Sequence, residues 1–321
     1  MKKMDTRSMV EGAVFAAVTA VLGILVYYMP LISLVGMFWA VPIIIMGFRN
    51  GFKVSFISAI VAGILVSVFT EPYSGIYLFL VFGISGIVMG NLMNKKINPS
   101  LNIIISGLIL AVCSVAGILM SFWIMGQSPS QAVEYFIKTL NQSIESAADI
   151  YKTIGIPKEQ IEGLIKTLTE SIEGFRLTIP TFFLINGIVF SFINFKVVKI
   201  ILNRMKYDIE DVKSFSQWKV PDNFTLGLIL ILFLTIAATY LKIPNVENAA
   251  INIIFLLRWI FTIIGLSVAA FILNKYGVGK IVKYIILFIL FASLSNMLTI
   301  LGLVDTIFNI RKIDKRNGGG M

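Results

Sequence analysis

The chain has 321 residues, 57% of them hydrophobic, with a net charge of +10, one cysteine and no histidine. Without imidazole there is no His-based proton transfer, no Ser–His or Cys–His catalysis and no His-ligated metal, and Cys113 alone excludes an intrachain disulfide or a thiolate cluster. A mean hydropathy of +0.90 is far above that of a soluble domain, and the basic residues lie in short clusters beside apolar runs, not in the stripe that nucleic-acid binding needs.

Nine apolar runs follow one another, at 10–28, 31–48, 52–69, 76–93, 101–125, 178–202, 224–241, 249–273 and 281–303. Most approach the ~20 residues with which a helix crosses the hydrocarbon core, and none alternates as a barrel strand does. The pattern predicts an all-α, polytopic helical membrane protein with about eight or nine transmembrane helices, embedded in the lipid bilayer. The first run carries Glu11 and ends in Tyr27-Tyr28 with no small-residue cleavage site, so it reads as a retained span. Its Gly12, Ala13, Ala16, Ala17 and Ala20 build small-xxx-small faces, paired as Ala13/Ala17 and Ala16/Ala20, on which a second helix can approach closely. The partner is either a neighbouring span or another protein. Gly83, Gly86 and Gly90 repeat the theme in the fourth run and read as internal packing.

With the N-terminus in the cytoplasm, Lys2, Lys3, Arg7, Arg49, Lys53, Lys95, Lys96, Arg204, Lys206, Lys213, Lys219, Lys275, Lys280 and Lys283 all fall inside, as the positive-inside rule requires. The turn at 71–75 falls outside with Glu71 as its one charge, and Tyr27, Tyr28, Tyr73, Tyr77, Trp123 and Tyr240 fall near outer ends. Nine crossings then leave Arg311, Lys312, Lys315 and Arg316 outside. Either 31–48 stops short, or the last run folds back around 293–296, or the tail departs from the rule. The alternation of the first eight favours nine.

Residues 127–176 interrupt the spans and predict an extracytoplasmic helical hairpin. Val133, Phe136, Leu140, Ile144, Ala147, Tyr151 and Ile154 recur at helical steps in one arm, and Ile161, Leu164, Leu168, Ile172 and Phe175 in the other. Ser128-Pro129 suits a helix start, and Gly155-Ile156-Pro157 suits a stop and restart. Such a hairpin is a cap closed on itself, a lid over a cavity, or a docking surface. The expected organisation is 1–126 with five spans, 127–176 the hairpin, 177–203 the sixth span, and 204–321 a charged loop with the C-terminal spans.

Arg258 lies inside the run at 249–273, where a charge pairs, faces a cavity or snorkels; Glu11 and Asp305 are its candidate partners. Asn186, Asn194, Asn252 and Asn296 suit interhelical hydrogen bonds or a ligand. Glu210 and Asp211 read as solvated. There is no Walker A loop and no acidic pair at a metal or acid–base spacing. Repeated broken helices, the mark of an inverted-repeat transporter, are not evident. No enzyme activity, cofactor or metal is expected.

Thr6-Arg7-Ser8 and Glu11-Gly12-Ala13, then Trp218-Lys219-Val220-Pro221 before a span, then Gly302-Leu303-Val304-Asp305 followed by Phe308 and Arg311-Lys312, resemble the YybS-like bacterial membrane proteins over nearly the full length. That family is distantly similar to the S-components of energy-coupling-factor transporters. The resemblance implies a six-helix unit from 1–126 and 177–203 whose Ala13 and Ala17 dock on a membrane coupling subunit with its ATPases. The expected function is then small-molecule, vitamin-like capture or uptake in the bacterial cell membrane. Glu71, Tyr73, Tyr77, Trp123 and Asn186 are the candidate ligand residues. The alternative is a non-transporting scaffold or regulator of the cell envelope, working through 127–176 and the loop 203–222.

Overall fold

The computed structural model describes residues 5–124, 126, 128–220, 222–241 and 246–313; Lys2, Lys3, Pro221, Lys315 and Arg316 lie outside them. The described residues are helical and contain no strand. They form two compact units, Met1–Asp211 and Val212–Met321. Among the described residues six helices are long and apolar enough to cross a membrane, or seven if one bent pair is a single span, and the chain is a polytopic all-α membrane protein.

Unit 1 begins with α1 (Thr6–Tyr28), a 3-10 helix at Pro30–Phe38 and α2 (Ala40–Phe69). Gly51 breaks α2 with φ 80° and ψ −173°, a left-handed conformation that costs a residue with a Cβ. The break reverses the chain, as the neighbours of each arm show. Gly12 of α1 faces Val54 and Ser58, and Gly23 faces Val66, so 52–69 rises alongside α1. In α4 (Ile84–Asn94), Gly86 faces Ala40 and Gly90 faces Ile44, so 40–50 runs with α4. Gly75 of α3 (Pro72–Leu78) lies on Gly63 and Phe79 stacks edge-on to Phe56, so the segment leading into α4 descends against 52–69. The arm 40–50 therefore runs opposite to 52–69. Its eleven residues rise about 16 Å, and the nine 3-10 residues before it add about 18 Å, together roughly one membrane thickness. The run at 31–48 is thus a broken span, half 3-10 and half α.

This broken span is the centre of unit 1. Trp39, Ile43, Ile44 and Met46 are fully buried, and Ala16, Ala20, Ala62 and Val66 close around Trp39. Small residues permit the approach: a side chain at Gly90 would strike the Ile44 carbonyl. Gly107 and Gly187 likewise bring α5 (Pro99–Ile124) against α7 (Lys158–Arg204). In lipid, where burial of apolar surface gives no drive, such backbone contact is what holds spans together.

The hairpin forms, with a difference. Ser128 and Gln131 make a reciprocal capping box at the start of α6 (Pro129–Thr153). Gly155, at φ 84°, ends the first arm, and Pro157 precedes the second. The second arm does not stop at 176, however. It runs on through the sixth span as one 47-residue helix, about 70 Å long. The expected boundary at 176/177 lies inside it because the helix absorbs both Gly174 and Pro180, the two residues of 170–182 that could have ended it. Pro180 has no N–H to give the Arg176 carbonyl.

Unit 2 contains α8 (Asp222–Tyr240), α9 (Val246–Lys275), α10 (Lys280–Ser293) and α11 (Ser295–Phe308). α10 and α11 meet at 105°, so the last apolar run folds at Leu294, one of the three arrangements the charge pattern left open. α9 packs on α11 where Gly265 meets the Leu298 carbonyl and Gly302 meets the Phe261 carbonyl.

Candidate functional site

Two of the five candidate ligand residues come together. Glu71 stands in the break between α2 and α3, and the hydroxyls of Tyr73 and Tyr27 donate to its carboxylate; these hydrogen bonds, Tyr73 first, hold it below its ordinary value of 4.5. Tyr27 packs edge-on to Tyr28 at 5.1 Å between centroids, and the Tyr28 hydroxyl donates to the Phe69 carbonyl at 2.8 Å. α1 and α3 thus bring Tyr27 and Tyr73 to one carboxylate at the end of α2, with Tyr28 packed beside Tyr27. Beside it runs an apolar groove of about 490 Å³ lined by Ile60, Ile64, Val68, Pro72, Ile76 and Phe79, among others.

The other three stand apart. Tyr77 packs on Gly117 of α5, Asn186 donates to the Phe182 carbonyl of its own helix at 2.8 Å, and Trp123 is 80% exposed. The small-residue face of α1 also divides. Ala16 and Ala20 are buried against Trp39, Ala62 and Val66, so this pair serves internal packing, whereas Ala13 and Ala17 remain exposed. Arg258 meets neither Glu11 nor Asp305; its guanidinium donates to Asn296 Oδ1 across α9 and α11 at 2.8 Å. One turn on, the Thr262 and Thr299 hydroxyls bond at 2.8 Å.

Glu11 and Asp305 instead anchor two other nodes. Arg49 and Asn50 donate to opposite oxygens of Glu11 at 2.9 and 3.0 Å, just before the Gly51 reversal, while Ser58 donates to the Gly12 carbonyl at 3.0 Å. The opening motif thereby pins α1 to both arms of α2. In unit 2, Arg311 is buried with Asp305, their side chains 1% and 4% exposed. All its guanidinium donors are used: Nε to Asp305 at 3.0 Å, one terminal nitrogen to the Ser216 carbonyl and Ser267 Oγ at 2.8 and 2.6 Å, the other to Asp305 and the Trp218 carbonyl, both at 2.7 Å. The single Ser267 hydroxyl hydrogen has two acceptors within reach, the Phe215 and Trp218 carbonyls at 2.7 and 3.0 Å. The Trp-Lys-Val-Pro and Gly-Leu-x-Asp elements are therefore two halves of one buried node. Sequence reading missed this pairing; the signal was an aspartate and an arginine six residues apart around the end of an apolar run.

Two further buried polar atoms have no partner among the described residues, Trp39 Nε1 and Asn194 Oδ1. Asn194 Nδ2 donates to the Met37 carbonyl at 3.0 Å, so both atoms lie at the broken span. Near the junction of the units, Asp211 accepts from Lys196 and Lys199 at 2.6 and 2.7 Å. Partial burial raises its carboxyl, but the two lysines outweigh this and hold it below its ordinary value of 3.8. No group of three acids or thiols able to hold a metal occurs among the described residues.

A family model described as "Predicted membrane protein (DUF2232)" matches residues 17–306. The uncharacterized protein YybS of Bacillus subtilis is 26% identical over 317 residues, which cover 96% of this chain and 98% of that protein. No solved structure matches.

Proposed function

This chain belongs to the DUF2232 family of predicted membrane proteins, and from that premise we propose that it is a non-catalytic scaffold or regulator of the bacterial cell envelope, with the α6/α7 hairpin as its working surface. The observation that carries this reading is the continuity of α7, which fixes the hairpin to a span with no linker between them. The hairpin also keeps Tyr135, Ile150, Ile154 and Leu164 exposed, Ile154 at 66%. The tip lies about 25 Å from the start of the span at Gly174, too far for Ile150 and Ile154 to reach lipid, so a protein partner is their natural cover. Arg7, Arg49, Lys53, Lys95, Lys96, Arg204 and Lys206 sit at the opposite helix ends, where Asn94 donates to the Phe48 carbonyl and Phe48 packs edge-on to Tyr207. The positive-inside rule then puts the N-terminus in the cytoplasm and the hairpin outside.

A second reading, capture and uptake of a small molecule together with a coupling subunit and its ATPases, is favoured by the exposure of Ala13 and Ala17 on the free side of α1. One experiment separates the two: affinity purification of the tagged chain from its host in mild detergent, alongside the variants Ile150→Glu/Ile154→Glu and Ala17→Leu. Envelope proteins retained by the wild type and by Ala17→Leu but lost with the hairpin variant support the scaffold. Stoichiometric recovery of a membrane subunit with ATPases, lost only with Ala17→Leu, overturns it in favour of uptake.

A further inference from the structure

We propose that Glu71 and the Tyr27, Tyr28 and Tyr73 rings hold the primary ammonium of an ethanolamine phospholipid, with one acyl chain lying in the groove between 60–68 and 72–79. Glu71 is the single charged side chain between Lys53 and Lys95. It stands where two spans meet the membrane surface, and no cation among the described residues pairs with it there. Two tyrosine hydroxyls donate to its carboxylate; a carboxylate has about four lone-pair positions, so acceptor capacity remains for N–H donors. Those hydrogen bonds also favour its anionic form. The tyrosine rings add the electronegative faces by which aromatic side chains attract ammonium groups.

The groove supplies the second half of the recognition. Pro72, the residue after Glu71, lines it, so the groove reaches the turn that carries the carboxylate. From Val68 it descends to Ile60, about 12 Å along the helix, which is the direction of an acyl chain below its headgroup. The Ser67 hydroxyl, the polar group on its wall, is already bonded to the Pro72 carbonyl at 2.9 Å, so the wall presents hydrocarbon. An anionic headgroup would meet Glu71 with like charge. A choline headgroup would gain the ring faces but brings no N–H for the carboxylate.

The test is native mass spectrometry of the purified full-length protein in micelles holding equal amounts of dioleoyl phosphatidylethanolamine, phosphatidylcholine and phosphatidylglycerol. The wild type should retain one phosphatidylethanolamine in preference to the other two. Glu71→Gln, which keeps size and exposure, should cut that preference about fivefold. Val68→Trp, at a position 71% exposed, should lower retention of every lipid while leaving their order unchanged. Between pH 7 and 5 the wild-type preference should hold, and it should fade only below 4.5, the ordinary value from which Glu71 is depressed. Equal retention of the three lipids by the wild type, or an undiminished ethanolamine preference in Glu71→Gln, overturns the proposal. Thermal melting of each variant within a degree or two of wild type separates lost recognition from lost fold.

Discussion

Replacing Arg311 by methionine tests the account of unit 2 most directly. The substitution keeps the volume of the aliphatic stem and deletes five donors, all of which are engaged. Asp305, 4% exposed, would be left as a buried carboxylate without its cation, a loss of about 3–5 kcal/mol. The Ser216 carbonyl would lose the donor shown for it and add about 1 kcal/mol, whereas the Trp218 carbonyl keeps the Ser267 hydroxyl within reach. A total near 5 kcal/mol is a large fraction of the roughly 5–15 kcal/mol that stabilises a domain. Hydrogen exchange in nanodiscs should therefore show 214–218 opening by several orders of magnitude, with a marked fall in melting temperature. Asp305→Leu combined with Arg311→Met removes the stranded charge and should recover at least about 2 kcal/mol, because a buried pair replaced whole costs far less than a pair broken in half. If Arg311→Met exchanges and melts as wild type, or the double variant is no better than the single, the reasoning is wrong.

Gly302→Ala should destabilise unit 2 by about 1–3 kcal/mol, since the new methyl strikes the Phe261 carbonyl. Gly163→Ala in the hairpin meets nothing within 4 Å and should stabilise by up to about 1 kcal/mol; matching melts for the two variants would refute the packing argument. The Asp211 carboxyl is depressed in the folded chain, so its contribution is complete above its ordinary value of 3.8 and is lost as pH falls below it. Asp211→Asn should melt slightly below wild type at pH 7, by no more than an exposed ion pair is worth, about 1 kcal/mol, and the two curves should merge in strong acid. A gap that persists there would assign the loss to packing.

The membrane class was legible because apolar runs of spanning length have no other use. Both hairpin arms were legible from their spacing, whereas the fold at Leu294 was one of three arrangements that the tail's charge left open, and the alternation of the earlier runs favoured nine crossings instead. The reversal at Gly51 was legible in Arg49 and Lys53, which the charge pattern placed in one inner turn between two crossings; the packing that admits the short arm was not, since it depends on the distant Gly86 and Gly90. The continuity of α7 was hidden because an amphipathic stretch and an all-apolar one look like separate elements, the more so with Gly174 and Pro180 between them, both of which the helix absorbs. The Arg311 node joins positions up to 95 residues apart, and no periodicity reports such a distance. Glu71 and Tyr73 were legible as a pair by adjacency. Tyr27 reaches them only because α1 and the long arm of α2 rise together.

Pro180 gives the long helix a mechanical character. The hydrogen bond missing at Arg176 makes that turn the softest point between hairpin and span. Everything beyond it, back to the tip, is about 33 Å of stiff rod. A swing of about 10° at the proline would carry the tip sideways by about 6 Å, while a partner pulling on the tip would deliver its torque to the turn where α7 enters the bundle. The rod is a lever with its fulcrum at the membrane, able to turn a small strain among the spans into a displacement outside them.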